Sequence, residues 1–578
     1  MLGFLQLAVA ASPLLMQAGA NPLPPSMHVP ELEMRQAPGH LGAVATESEI
    51  CSNIGIELLK QGGNAADALV GTTFCIGVVG MYHSGIGGGG FMTVRLSNGT
   101  YEQIDFRETA PAAAYEDMYT NNTDLSIFGG LASGVPGEVR GLQYLHENYG
   151  TLPWAEVMAP AIKVARDGWT VNEDLVRYMA SANASAQIPN FLSEVPTWAI
   201  DFAPNGTLLK LNDTITRKRY GDTLQKIADN GPDEFYNGVM AEAMIAALQA
   251  ENGTMTMDDL ANYSAIVAPA ANITYRGKFN LFAADAPSSG VVALSALKIV
   301  EGYDDFFTSN GDLNISTHRL DEAIRFGYGA RADLGDPDFV GNLTRYQEEM
   351  LSEAYANETR SKISDFQTFN TSHYDPAGLE SLETPGTSHI VTADASGMAI
   401  TLTTTVNLLF GSNLMVPETG VIMNNEMNDF SIPGSSNAFG YVPSPANYVR
   451  PGKRPLSSIS PVIVEHASNN SLYYVIGAAG GSRIITSTIQ NIIHVLDQGM
   501  TAPEALAQPR LHDQLLPNQV SFEYAYDNST VAFMKQLGHN VTWVAPGQSA
   551  AQGIRVLSNG TFEAAGEPRQ KNSGGYAV

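Results

Sequence analysis

From Ser388 to Val406 the chain carries the alternation of a β-hairpin, and this segment constrains the fold more tightly than any other. Ser388 to Thr392 is strand-like, Asp394-Ala395-Ser396-Gly397 is a turn, and Met398 to Val406 alternates through a run rich in Thr and Ile. Folding about that turn sets a register in which Thr387 lies near Thr404 and Thr405, with Asn407 a few residues from the same end. A threonine hydroxyl is a poor nucleophile without a nearby base. Cleavage of the Gly386–Thr387 bond would free an α-amine with a reference pKa of about 8, and that amine becomes the base. Taken by itself, the segment also reads as an ordinary hairpin with a polar rim.

Later segments add chemistry. Asn424-Asn425-Glu426-Met427-Asn428-Asp429-Phe430 sets two carboxylates three apart after a short apolar strand ending at Met423, an arrangement suited to an ammonium group. A Pro-, Gly- and Ser-rich loop from Ser431 to Arg454, with Phe439, Tyr441 and Tyr448, has the length of a lid and closes at Pro455-Leu456-Ser457-Ser458. The strand Leu472 to Ile476 runs into Gly477-Ala478-Ala479-Gly480-Gly481, and a helix follows with Ile485, Ile489, Ile492 and Leu496 on one face. Backbone N–H groups at such a turn bind a phosphate or a transient oxyanion; no Lys stands in the phosphate-loop position, which favours the oxyanion.

In the N-terminal part, Ile50, Ile54 and Leu58 share a helix face, Gly62-Gly63 stop that helix, and a second opens at Asn64 and runs to Cys75. Antiparallel helices of this length put Cys51 beside Cys75; the two cysteines form one disulfide or remain two buried thiols. Gly85 to Gly90 precede a strand, Phe91 to Leu96, rather than a helix, so they serve close backbone packing and not a dinucleotide. His83, His318, His373 and His389 lack ligand spacing with Cys or carboxylates and read as surface or core histidines.

At 578 residues the chain makes two modules or one large layered domain, and a net charge of −28 argues against nucleic acid as a partner. Met1 to Ala20 hold an apolar run and an Ala18-Gly19-Ala20 end, read as a cleaved signal peptide rather than an anchor; residues 21 to 40 read as a linker. Dense Asn-x-Ser/Thr sequons, at Asn98, Asn121, Asn183, Asn205, Asn252, Asn314, Asn357, Asn469, Asn528 and Asn559 among others, point to a glycosylated secretory protein.

Six segments resemble the γ-glutamyltransferases (glutathione hydrolases), in that family's order and near its spacing. They are Asp105 to Pro111, Gly386 to His389, Thr405 to Asn407, Asn424 to Phe430, Pro455 to Ser458 and Gly477 to Gly481, with a closing Gly566-Glu567-Pro568-Arg569. The resemblance spans about Ala43 to Gly575 and overrides the ordinary-hairpin reading. It implies an N-terminal-nucleophile hydrolase fold, a four-layer αββα sandwich, from a precursor that cuts itself between Gly386 and Thr387. Residues 41–386 would form a large subunit and 387–578 a small one, paired as a heterodimer.

The resemblance also implies roles. Thr387 would be the nucleophile, oriented by a hydrogen bond from Thr405, with Gly480 and Gly481 as oxyanion donors. Arg107, Ser457 and Ser458 would hold a substrate α-carboxylate, and Asn407, Glu426 and Asp429 its α-ammonium. Glutathione and related γ-glutamyl compounds would be donors, water, amino acids or dipeptides acceptors, and no metal or organic cofactor is needed. The expected location is extracellular, cell-surface or vacuolar, without a stable membrane span. Glu426 follows animal members where bacterial ones often have Gln, Asn428 replaces an acidic residue seen in some relatives, and the 431–454 loop resembles the bacterial lid with Phe439 at a common Tyr position. Two rival readings are a cephalosporin or glutaryl acylase on the same fold, and an inactive secreted binding protein.

Overall fold

The computed structural model describes residues 39–307, 312–379, 386–435 and 442–578. The signal peptide, nearly all of the 21–40 linker and the loop aromatics Phe439 and Tyr441 lie outside them. The strands of the two large sheets are, in chain order, β1 (Gly42–Thr46), β2 (Gly89–Arg95), β3 (Tyr101–Asp105), β4 (Ile266–Pro269), β5 (Ala271–Tyr275), β6 (Phe279–Ala283), β7 (Ser388–Asp394), β8 (Ala399–Thr405), β9 (Val462–His466), β10 (Leu472–Ala479), β11 (Ala550–Val556), β12 (Phe562–Ala565) and β13 (Gly574–Ala577). One sheet runs β13-β1-β7-β8-β2-β3-β4 and the other β12-β11-β10-β9-β6-β5.

Side chains alternate across each strand and build the layers. Val391, Ala393, Ile463, Val475 and Ile554 fill the space between the sheets. Their strand neighbours Ile390, Ile400 and Leu402 face outward into one helical layer, and Val462, Val464 and Ile476 into the other. Over the first sheet lie α1 (Glu49–Lys60) and α2 (Ala65–Val79); over the second lie α3 (Gly290–Glu301), α4 (Leu313–Arg331) and α5 (Arg483–Leu496). The architecture is therefore the expected αββα sandwich.

Local chemistry explains the element starts. The Asn64 side chain accepts from Ala66 and Asp67 N–H while Asp67 returns a bond to Asn64 N–H, a capping box worth about 1 kcal/mol. Cys51 and Cys75 are joined as a disulfide between α1 and α2, with Cα atoms 5.4 Å apart. Gly88 and Gly90 lie under β8, where a Cβ would stand 2.0 Å from Thr405 O and 2.1 Å from Thr403 O. Strands from before and after Gly386 interleave, since β1 is flanked by β13 and β7 and β2 by β8 and β3.

Candidate active site

The hairpin pairs Ala399 with Ala393 and Thr404 with Ser388, so one further step sets Thr405 across from Thr387 at the mouth of β7 and β8. Gly386 and Thr387 both have positive φ, 135° and 128°, and a β-branched residue there is strained. Gly386 presses on Asn407: a Cβ on it would lie 1.9 Å from Asn407 O. Thr405 Oγ1 accepts the Asn407 N–H at 2.7 Å. Among the described contacts no hydrogen bond joins Thr405 to Thr387, so the orienting bond expected from the sequence is absent while the chain is continuous.

Thr387 opens onto a cavity of about 280 Å³ that Gly386, Gly480, His83, Tyr178, Gln548 and Gln570 also line. Gly480 (φ 121°) and Gly481 (φ 58°) make the turn from β10 into α5. A Cβ on Gly480 would stand 2.6 Å from Gln548 O. A polar network unforeseen in the sequence backs this cavity. The buried Glu47 carboxylate accepts from His83 Nδ1 at 2.9 Å, Ser388 Oγ at 2.6 Å and Gln570 Nε2 at 3.0 Å. It anchors the residue immediately after Thr387. A second cavity, about 740 Å³ and lined by Gln103, Asp105, Asp285 and Asp336, contains none of the predicted residues.

The other predicted residues meet around a fully buried guanidinium. Arg107 donates from Nη1 to Glu426 and from Nη2 to Asp429, and from Nε to Pro455 O at 3.3 Å. Glu426 and Asp429 lie on a short 3-10 turn, Glu426–Asp429, whose entry is fixed by Asn424 accepting the Glu426 N–H at 3.0 Å. Glu426 Oε2 and Asp429 Oδ1 are buried and meet no hydrogen-bond donor among the described residues. Burial pushes both carboxyls above the usual range, against the pull of Arg107. Glu108, also without a donor, is raised by burial and by Glu426.

Ser457 and Ser458 are held close by. Ser458 Oγ accepts from Arg331 Nη2 at 3.1 Å, Arg331 Nε donates to Ser289 Oγ at 3.0 Å, and Ser289 Oγ donates to Ser457 O at 2.5 Å. Arg331 thus brings a second buried cation that the motifs did not reveal. Asn407 links the two parts, its carbonyl against Gly386 and its Nδ2 donating to Asn425 O at 3.0 Å. Rather than forming an open ammonium site with Asn407, Glu426 and Asp429 close on Arg107.

A model of the gamma-glutamyltranspeptidase family matches residues 51–577. This chain belongs to that family. The gamma-glutamyltranspeptidase chain is 58% identical over 551 residues to the glutathione hydrolase proenzyme of Arthroderma benhamiae, with 93% of each covered. It is 51% identical over 544 residues to a glutathione hydrolase of Aspergillus flavus, covering 94% of this chain and 90% of that one. Among solved structures it resembles cephalosporin acylase from Bacillus halodurans, with a TM-score of 0.81 at 25% identity over 96% of this chain and 99% of the other. Gamma-glutamyltranspeptidase from Helicobacter pylori matches with a TM-score of 0.52 at 30% identity, over 56% of this chain and 92% of that one.

Proposed function

We propose that the chain is the precursor of a glutathione hydrolase that transfers the γ-glutamyl group to water or to an amino acid or dipeptide through an ester on Thr387. The observation that carries the substrate choice is the pair of donorless buried oxygens, Glu426 Oε2 and Asp429 Oδ1, beside the Arg107 guanidinium. A zwitterionic glutamyl head supplies both missing charges: its α-carboxylate replaces the acidic side chains on Arg107 and its α-ammonium donates to the oxygens left open. An acyl group without the amine would take the α-carboxylate's place on Arg107 and bring no donor for the displaced Glu426 and Asp429 side chains.

Processing begins when Thr387 Oγ attacks the Gly386 carbonyl carbon. The peptide C–N bond breaks as an ester forms, the Thr387 nitrogen takes up a proton, and water then hydrolyses the ester. The strained φ at Thr387 contributes on the order of 1–3 kcal/mol, which the cut releases. Because strands from both sides of the cut interleave, residues 41–386 and 387–578 stay together as large and small subunits. In turnover the freed amine shuttles the proton while Thr387 Oγ attacks the γ-amide carbonyl, and Gly480 and Gly481 N–H groups receive the oxyanion, each worth roughly 3 kcal/mol.

A secretory route is supported by the sequons, of whose ten named asparagines only Asn183 and Asn314 are not exposed. No helix among the described residues is long and apolar enough to cross a membrane. The test compares γ-glutamyl p-nitroanilide with glutaryl p-nitroanilide, expecting release from the first alone; preference for the glutaryl substrate would favour the acylase reading. Thr387→Ala is expected to remain one uncut, inactive chain, and the small fragment of the unaltered protein to begin Thr-Ser-His. The same two fragments from Thr387→Ala would mean that another protease makes the cut.

A further inference from the structure

The cavity of about 280 Å³ beside Thr387 is left unused by the glutamyl head. Arg107, Glu426, Asp429, Ser457 and Ser458 are joined to the Thr387 end of the hairpin through Asn407, and none of them lines this space. Thr387 and Gly480 do line it, together with Arg177, Tyr178 and Gln548. A γ-amide held at Thr387 by its glutamyl head therefore turns its other half, the amine that leaves, into the cavity. Transfer to an acceptor amine reverses the leaving step, so the acceptor approaches the ester from the same side.

The charge of this space is positive. Among the described residues that line it none is Asp or Glu, and Arg177 is the one guanidinium, on a chain whose net charge is −28. Arg177 lies on the helix Glu173–Ser185 with its side chain 42% exposed. Its Nη2 donates to Tyr178 Oη at 2.8 Å and to the buried Asp174 at 3.2 Å, and its Cζ sits 4.5 Å from the centre of the Tyr178 ring. Tyr178 is in turn stacked on Tyr82 at 4.4 Å and set edge-on to His83 at 4.4 Å. Stacking thus holds the guanidinium in place, while Nη1 has no acceptor among the described residues and keeps both of its N–H groups for a ligand. Arg569, across Gly547, already binds Glu523, Glu567 and the carbonyls of Leu506 and Gln508.

Size narrows the ligand. A cavity of about 280 Å³ is roughly 8 Å across if round, and two residues of extended chain span about 7 Å. In glutathione the leaving amine is cysteinylglycine, whose carboxylate lies two residues from the γ-amide nitrogen. We infer that Arg177 binds the C-terminal carboxylate of the leaving dipeptide, and of a dipeptide acceptor, and so selects γ-glutamyl compounds whose leaving part ends in a free carboxylate. The inference rests on the proposed function, because without an ester on Thr387 there is no leaving amine to hold.

The test compares glutathione with its glycine carboxamide, which lacks only the charged carboxylate, as donors for the mature enzyme. For the unaltered enzyme kcat/KM should favour glutathione by about tenfold; in Arg177→Gln the two values should agree within about twofold, through a loss on glutathione. Each ratio is taken on one preparation, so the amount of matured enzyme cancels and general damage to the fold does not mimic the result. A ratio near one in the unaltered enzyme, which is read without the variant, would overturn the assignment, as would a preference that survives Arg177→Gln. γ-Glutamyl p-nitroanilide separates the two proposals: its turnover without a glutathione preference defeats the subsite alone, and no turnover defeats the proposed function and the subsite with it.

Discussion

The Cα of Gly386 packs against the carbonyl oxygen of Asn407 so closely that a methyl group there would lie 1.9 Å from that oxygen. The contact holds Gly386 at φ 135° and sets the candidate scissile bond at the mouth of the hairpin. Gly386→Ala must therefore move the bond or displace Asn407. The expected result is slower appearance of the two fragments by at least about tenfold, corresponding to roughly 1.4 kcal/mol, read on a denaturing gel after deglycosylation. Cleavage at the rate of the unaltered protein would contradict the role given to this contact.

Arg107→Lys keeps the charge and loses the fork that reaches Glu426 and Asp429 together. We expect kcat/KM for γ-glutamyl p-nitroanilide to fall by about 10²–10³, with the two fragments still formed, because Arg107 has no part in the cut. An unchanged kcat/KM would remove Arg107 from the substrate site.

Gly480→Ala sets a Cβ 2.6 Å from Gln548 O at a position where φ is 121°. The N–H aimed at the oxyanion shifts, and kcat of the cleaved enzyme should drop by about 10²–10³ while KM changes little. A rise in KM with kcat preserved would place Gly480 in substrate binding instead.

His389 lies between the sheets, its Nδ1 2.8 Å from Thr403 Oγ1 and its ring over Gly477. Burial lowers its pKa to about 3, below the ordinary value of about 6.5. The unfolded chain therefore binds the extra proton first, so this contribution to stability is complete above pH 6.5 and is lost as pH falls towards 3. The loss runs at about 1.4 kcal/mol per pH unit. Denaturant titrations at pH 7 and pH 5 should show the stability advantage of the unaltered protein over His389→Gln shrinking by roughly 2 kcal/mol. A constant difference would mean that His389 titrates alike in the folded and unfolded chain, and that burial does not hold it neutral.

Much of this architecture was legible locally. The period-two alternation of Ser388 to Val406 gave the hairpin and its register to within one residue, Asn64 and the Gly62-Gly63 stop marked the two helices, and two antiparallel helices carried Cys51 to Cys75. The motifs likewise named Arg107, Glu426 and Asp429 as partners in one site.

How those groups meet was not legible. Arg107 and Glu426 are 319 positions apart, and spacing along a chain says nothing about whether a carboxylate faces a guanidinium or a substrate. The same holds for Glu47 beneath Ser388, which depends on β1 pairing with β7, for Arg331 on Ser458, and for His318 against His539 across 221 positions. Turn chemistry and side-chain periodicity act over a few residues, so the sequence alone determined strands, helices, caps and the Gly386-Thr387 junction. Strand order and layer packing act over hundreds, and only the tertiary structure decided which buried charges neutralise one another and which are left open for a ligand.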